Sequence, residues 1–231
     1  WVMYMLEQRL GTAKLDSALR AYLRRHAYGV VTTDSLRQSL ERGCQCVLGA
    51  FFEQWVHQPG GPLLRVTQRG GEGKRQLELR RRGRFDLELP VITYPQQGVP
   101  DTTWLYWPAA AGTDTNLALP RKTLRYWKID HLDRYLLRSR VQKPLKSWQL
   151  QYQESTALMD RYRAVEAMEA FTGAGARRFL ESVLGRSGEH HGPRARALEL
   201  LLERNPDEAQ RLGYFKTALK AGDVELQKEA L

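Results

Sequence analysis

Hydrophobic residues near the start of the chain recur at the spacing of an amphipathic helix. Leu48, Phe51, Phe52, Trp55 and Val56 occupy positions i, i+3, i+4, i+7 and i+8, which lie on one side of an α-helix. An earlier segment repeats the pattern with Leu15, Ala18, Leu19, Tyr22 and Leu23. The sequence therefore predicts helices over residues 1–58, with their aromatic side chains in a core.

The Pro-Gly-Gly-Pro segment at 59–62 should end the last of these helices, because proline cannot continue a helix and glycine reaches non-helical angles. After it the pattern changes to a period of two. Residues 77–79 and 85–89 alternate apolar and polar side chains, which is typical of strands with one buried face. Glycine-rich turns between these runs predict a small β-sandwich at 61–129.

From residue 130 to residue 231 the hydrophobic spacing is again helical, and glycines divide it into short segments. Residues 222–230 are similar to the helix start of HEAT-type repeats, in which stacked helix pairs bury a continuous core. No strict period is visible, so an irregular helical bundle fits the pattern as well. The patterns together predict a multidomain α+β chain divided at 1–60, 61–129 and 130–231.

Composition indicates a globular chain, since 42% of the 231 residues are hydrophobic. No apolar run approaches the roughly 20 residues that a membrane-spanning helix needs. Cys44 and Cys46 are separated by a single residue, a spacing that favours neither a disulfide nor a Cys-x-x-Cys knuckle. We therefore expect reduced structural cysteines and an intracellular compartment, either cytoplasmic or organellar.

The formal net charge is +10, and part of it is concentrated in one short segment. That segment contains Lys74, Arg75, Arg80, Arg81, Arg82 and Arg84. Such a cluster is suited to contact an anionic partner, which includes nucleic acid, a ribonucleoprotein, an anionic membrane and an acidic protein. The alternative is that the arginines protect exposed strand edges from pairing. No aromatic residue interrupts the run before Phe85, so a stacking platform for single strands is not indicated.

Four motifs occur in order within the first 66 residues. They lie at 1–11 (Trp-Val-Met-Tyr-Met-Leu, then Leu-Gly), 19–28 (Leu-Arg-Ala-Tyr-Leu, then His-Ala-Tyr), 32–36 (Thr-Thr-Asp-Ser-Leu) and 51–62. In order, spacing and residue type they resemble the end of the catalytic domain in the aminopeptidase N family of zinc metallopeptidases. The last motif is carried by Phe51, Phe52, Trp55, Gly61 and Pro62.

This resemblance implies a fold for each part of the chain, and weaker matches continue it through residue 129. Residues 1–60 would be the helical end of a thermolysin-like catalytic domain. The family's small β-sandwich would follow, and then an α-helical array similar to HEAT or armadillo repeats.

The resemblance also implies where the chemistry of the family lies. These enzymes hold zinc with His-Glu-x-x-His and a Glu on the next helix, and the Glu between the histidines activates the metal-bound water. The motif does not occur in this sequence, whose histidines are His26, His57, His131, His190 and His191. The family's catalytic tyrosine aligns before residue 1. We therefore expect no catalytic residue, zinc ligand or cofactor in this chain, and a solvated loop at 189–191.

Two functions follow from these expectations. The first is a non-catalytic, aminopeptidase-like scaffold subunit in a protein assembly, for which a general transcription factor complex offers a precedent in the family. The absent catalytic segment, the basic charge and the arginine-rich strand favour it. The second is the C-terminal portion of an active zinc aminopeptidase whose metal-binding segment lies upstream of residue 1. Its helical domain would then shape and gate the cleft for peptide substrates.

Overall fold

The computed structural model of the chain describes residues 1–71, 74–130, 134–204 and 206–220. It begins with α1 (Val2–Leu10), α2 (Thr12–Arg25), α3 (Thr33–Cys44) and α4 (Gly49–Phe52), and a π-helical turn follows at Glu53–His57. The apolar faces of these elements form one core, made of Met5, Leu6, Leu15, Ala18, Leu40, Leu48, Phe51 and Phe52. None of the described helices is both long enough and apolar enough to span a lipid bilayer.

The helical stripe that begins at Leu48 is shorter than the sequence predicts. Leu48, Phe51 and Phe52 are buried, whereas Val56 remains 39% exposed. The reason is the π-helical turn, whose i→i+5 hydrogen bonds place later residues out of step with the period of an α-helix. The expected single apolar face therefore ends near Trp55.

Within the described residues, strands form two sheets with the orders β5-β2-β1-β7 and β4-β3-β6. The strands are β1 (Leu63–Arg69), β2 (Gln76–Arg82), β3 (Leu87–Pro95), β4 (Asp101–Trp107), β5 (Asp114–Ala118), β6 (Leu124–Ile129) and β7 (Arg138–Gln142). The two sheets enclose a common core that includes Leu64, Val66, Leu77, Leu79, Leu87, Leu89, Val91, Trp107, Trp127 and Ile129. The alternating residues that the sequence assigns to a buried face are therefore inside.

Strand β7 corrects the expectation that the chain is helical from residue 130 onwards. It pairs with β1 in parallel, with Val66 opposite Val141. Only Val141 contributes to the core, while Arg138 and Arg140 remain exposed. An edge strand with a single inward side chain carries too little alternation to be recognised from sequence.

Helices complete the chain: α5 (Leu145–Glu154), α6 (Leu158–Glu166), α7 (Ala174–Leu184), α8 (His191–Leu202) and α9 (Glu208–Leu219), with a 3-10 turn at Ala167–Ala170. Their shared core includes Trp148, Tyr152, Val165, Met168, Phe179, Leu180, Val183, Leu184, Leu198 and Leu201. The repeat-like segment at 222–230 lies outside the described residues.

A buried polar cluster joins this helical part to the sheets. The Nζ of Lys128 in β6 lies 2.6 Å from a carboxylate oxygen of Asp160 in α6. Lys143, just after β7, donates to the Trp127 carbonyl at 2.7 Å and to the Gln151 side chain at 2.5 Å. Burial lowers the pKa of Lys143 well below its usual value. Because buried polar groups are costly unless they are hydrogen-bonded, the cluster fixes how the sheets and helices meet.

The two cysteines form a disulfide with each other, so the expectation of reduced cysteines is wrong. Gln45 between them adopts the left-handed conformation, with φ 54° and ψ 41°, and this bends the chain back on itself at the end of α3. The two Cα atoms come within 5.2 Å, a separation that a disulfide can bridge. The cysteines therefore no longer support an intracellular compartment, which stays a prediction without structural support.

One arginine of β2 points into the protein. Arg81 is 5% exposed, and its guanidinium lies 4.5 Å from the ring of Trp107. Its two terminal nitrogens donate to the carbonyls of Phe85, Trp107, Pro108 and Ala111 at distances of 2.5 to 2.9 Å. A single side chain thus holds the β2–β3 turn and the β4–β5 loop together.

We predict that Arg81→Gln lowers the free energy of unfolding by about 2 to 4 kcal/mol, because buried carbonyls lose their donors. The neighbouring Arg80 is the matched control, since its ion pairs with Glu78 and Asp114 are largely exposed. Arg80→Gln should cost less than about 1 kcal/mol. Urea unfolding followed by circular dichroism measures both. Equal losses for the two variants would contradict a structural role for Arg81.

Candidate functional site at the seam between helices and sheets

The first helical core and the core between the sheets meet at a seam of aromatic side chains. The ring of Trp55 lies 5.1 Å from that of Phe85 and 5.5 Å from that of Tyr135, on which it stacks at an angle of 19°. Trp55 packs against both cores. It lies where the sequence places it, between helix and sheet, but it is half-buried and not fully buried as expected.

Polar side chains fix the same seam by pairing with the backbone at the start of β3. The Gln54 amide accepts from the Asp86 N–H at 2.7 Å and donates to the Asp86 carbonyl at 3.0 Å, as a neighbouring strand would. The hydroxyl of Tyr135 accepts from the Glu88 N–H at 3.0 Å. Burial raises the pKa of Tyr135. The seam therefore has little freedom to shift.

The Gly61-Pro62 part of the sequence motif contacts the segment between Tyr135 and β7. A side chain at Gly61 would begin 3.1 Å from the carbonyl of Leu136, so the close approach of this segment favours glycine. The carbonyl of Pro62 accepts from the Arg138 N–H at 3.1 Å, where β7 begins. The motif thus aligns β7 beside β1.

A cleft of about 490 Å³ opens beside the seam. Its walls come from α1, α4, the π-helical turn, β3, β4 and residues 134–135, with Met5, Gln8, Arg9, Ala50, Phe51, Gln54, Trp55, Asp86, Leu87, Glu88, Tyr106, Arg134 and Tyr135. Asp86 already accepts from the Ala109 N–H at 2.6 Å, and Arg134 stacks 4.8 Å from the ring of Trp104. The cleft therefore presents aromatic and mixed-charge surfaces whose inner polar groups are largely engaged in holding the fold.

The predicted anion-contacting residues do not form one surface. Lys74, Arg82 and Arg84 are exposed, Arg75 is half-buried, and Arg80 is paired with Glu78 and Asp114. Arg81 is buried against backbone carbonyls, so for this residue the predicted contact is wrong. The sequence analysis also missed exposed arginines of β1 and β7, because no signal marked β7 as a strand that lies beside β1.

The segment 189–191 is only partly the solvated loop that the sequence predicts. Glu189 is buried, accepting from the Tyr152 hydroxyl at 2.8 Å and pairing with Arg161 at 3.1 Å. His190 caps α8, its Nδ1 accepting from the Gly192 N–H at 3.0 Å. Although burial alone would raise the pKa of Glu189, these hydrogen bonds and the nearby Arg161 lower it overall.

These contacts also decide how well the pair of histidines fits a metal. The rings of His190 and His191 lie 4.0 Å apart, but Glu189 and the Nδ1 of His190 are committed to other partners. In the part of the chain that the structure describes, no three His, Cys, Asp or Glu side chains are grouped to hold a metal ion. The described residues therefore do not fit the zinc site that the family resemblance implies for a complete enzyme.

Comparison with known proteins gives similarity to aminopeptidases. No protein-family model matches the chain. Aminopeptidase N of Lactococcus lactis subsp. cremoris (strain MG1363) is 35% identical over 63 residues, 27% of this chain and 7% of that protein. Aminopeptidase M1 of Arabidopsis thaliana is 32% identical over 77 residues, 33% of this chain and 8% of that protein.

The fold is similar to a solved structure over nearly its full length. Aminopeptidase A of Legionella pneumophila, in complex with aspartic acid, aligns with 99% of this chain and 29% of its own, with a TM-score of 0.65 and 14% identity. This likeness concerns the fold alone. Together with the sequence matches it supports an aminopeptidase-like family, of whose members this chain spans only a small part.

We predict that Trp55→Ala lowers the free energy of unfolding by about 2 to 3 kcal/mol, less than a fully buried tryptophan would lose. The substitution removes the ring contacts with Phe85 and Tyr135. Val56→Ala, at an exposed position beside it, should change stability by less than about 0.5 kcal/mol. Chemical unfolding monitored by circular dichroism measures the free energy of unfolding of both variants. A loss for Trp55→Ala no larger than that for Val56→Ala would contradict a stabilising role of the seam.

We predict a pH dependence for the stabilisation provided by Glu189. Because its folded pKa is lowered, its ionised form stabilises the protein above the ordinary value of 4.5, and this stabilisation is lost as the pH falls through the folded pKa. The stability difference between the parent and Glu189→Gln should be largest near neutral pH and shrink below 4.5. Thermal unfolding of both proteins from neutral to acidic pH measures it, and a constant difference would contradict the prediction.

Proposed function

We propose that this chain is a scaffold segment of an aminopeptidase-like protein, one that positions other parts of an assembly and does not itself perform chemistry. The seam carries the proposal. Its aromatic and amide side chains join the helices to the sheets. Gln54 is hydrogen-bonded to the backbone of Asp86, and Tyr135 to the backbone of Glu88. Polar groups fixed in this way serve a rigid support better than a reaction that needs free donors and acceptors.

Within this proposal the chain has three units, which follow the expected divisions at 1–60, 61–129 and 130–231. The first is the helical end of a thermolysin-like domain, the second a small β-sandwich and the third a HEAT-like helical array. Support comes from the separate core of each unit. Since β7 belongs to the sheet with β1, we assign residues up to Gln142 structurally to the second unit.

The comparisons favour a second candidate, in which this chain is the C-terminal portion of an active zinc aminopeptidase. The curated relatives it matches are named aminopeptidases, and the matched segments cover only 7% and 8% of their lengths. The zinc ligands and the catalytic tyrosine would then lie upstream of residue 1. This chain would support the catalytic domain and limit which peptides reach it.

We predict that the purified chain binds no stoichiometric zinc and does not hydrolyse aminoacyl-anilide substrates. Metal analysis after dialysis against zinc, together with a chromogenic hydrolysis assay, tests both. A His190→Ala, His191→Ala double variant is the control that separates loosely bound zinc from a site. Zinc-dependent turnover by the purified chain would overturn the scaffold proposal.

The intact mass of the native polypeptide, with peptide mapping across its N-terminus, separates the two candidates. A longer polypeptide with His-Glu-x-x-His upstream, whose zinc-dependent turnover disappears when that Glu becomes Gln, would establish the second candidate. A native polypeptide whose upstream residues lack the ligands would support the scaffold.

A further inference from the structure

The outer face of the larger sheet carries a band of arginines that the linear sequence disperses. Strand registry places Arg65 of β1 directly between Arg80 of β2 and Arg140 of β7. In the next row Leu63 lies between Arg82 and Arg138. The outward direction is fixed by Val66 and Val141, which face the core. We call Arg65, Arg82, Arg138 and Arg140 the arginine strip.

The strip is not neutralised by the protein itself. On the same face, Glu78 pairs with Arg69 and Arg80, and Asp114 also pairs with Arg80. Within the described residues, no carboxylate forms an ion pair with a member of the strip. Its four arginines are exposed. Like charges directly opposite each other destabilise a sheet, so Arg65 beside Arg140 is unfavourable for folding alone.

The strip borders the edge of its sheet. Strand β7 is the last strand of its sheet, and in the part of the chain that the structure describes no further strand pairs with it. Backbone donors and acceptors on such an edge can pair with an extended peptide from another protein. Arg138 and Arg140 are two residues apart, so their side chains are spaced by roughly 6.6 Å along the strand.

We propose that the arginine strip and the edge of β7 bind an acidic protein segment in an extended conformation. Carboxylates at alternate positions of such a segment have the same spacing as Arg138 and Arg140 and lie on one side of it. Bidentate carboxylate pairing suits the guanidinium group. The added strand would continue the sheet beyond β7, and Arg65, which lies directly beside Arg140, would share the carboxylate that Arg140 binds.

The surroundings favour an acidic protein over nucleic acid. The outward side chains between the arginines, Leu63, Thr67 and Gln142, offer no ring on which a base can stack. At the β2–β5 side, Glu78 and Asp114 are paired with Arg69 and Arg80, so this side offers a phosphate backbone little net positive charge. The positive area is thus a narrow band that runs from Arg82 of β2 across β1 to β7. It uses no residue of the seam or the cleft, so it is independent of the proposed function.

The test measures binding of a fluorescently labelled peptide of alternating Glu and Thr by anisotropy at low salt. The Arg65→Gln, Arg140→Gln double variant should bind it roughly tenfold more weakly than the parent. Lys14→Gln, Arg20→Gln removes the same charge from exposed positions of α2 and should stay within about twofold of the parent. The strip variant should also unfold at no lower temperature than the parent, because it relieves repulsion between like charges.

A second peptide tests the strand pairing. Replacing each Thr with Pro keeps the charge but removes backbone donors, so this peptide should bind more weakly than the first. Equal binding of the two peptides would overturn pairing at the edge of β7. Equal weakening by the strip and α2 variants would overturn the strip as the site. Tighter, strip-dependent binding of an RNA oligonucleotide of equal charge would replace the acidic protein with nucleic acid as the partner.

Discussion

The pairing of the Gln54 amide with the backbone of Asp86 is the contact on which the arrangement of the first two cores depends. It imitates one step of a β-ladder, yet it comes from a π-helical turn. It brings Trp55 onto Phe85 and Tyr135, so a helix and a sheet that would otherwise touch only through apolar groups acquire a fixed register. Polar contacts of this kind add specificity to packing that is otherwise adaptable.

Several charged side chains hold the fold together from inside. Arg81 joins loops through backbone carbonyls, Lys128 pairs with Asp160 between β6 and α6, and Glu189 is bound by Tyr152 and Arg161. Each would be costly to bury alone, and each is satisfied by partners far away in sequence. The interior charges therefore belong to the architecture, and candidate binding groups have to be sought on the surface.

The scaffold proposal and the arginine strip address different parts of the molecule. The seam gives the helices and sheets a fixed relation, which a support needs. The strip lies on the outside of the sheet, where its unneutralised charge faces solvent. The similarity to aminopeptidases concerns the fold of the chain and a short stretch of its sequence, and the matched segments cover only a small part of those proteins.

The sequence by itself determined the kinds of elements and most of the buried faces. Period-two alternation identified Leu77, Leu79, Leu87 and Leu89 as core residues, and helical spacing did the same for Leu48, Phe51 and Phe52, because both signals are local. The aminopeptidase resemblance also rested on local motifs, and the comparisons support it at the level of the family.

Only the tertiary structure decided which charged residues are inside and which surfaces they form. Arg81 and Arg82 are neighbours in sequence, but Arg81 is buried and Arg82 is exposed, because alternate residues of β2 face opposite sides of the sheet. The disulfide depended on a left-handed turn at Gln45, and β7 on a parallel partner about 75 residues earlier. The strip joins β1, β2 and β7, and strand order is a long-range property that local patterns do not contain.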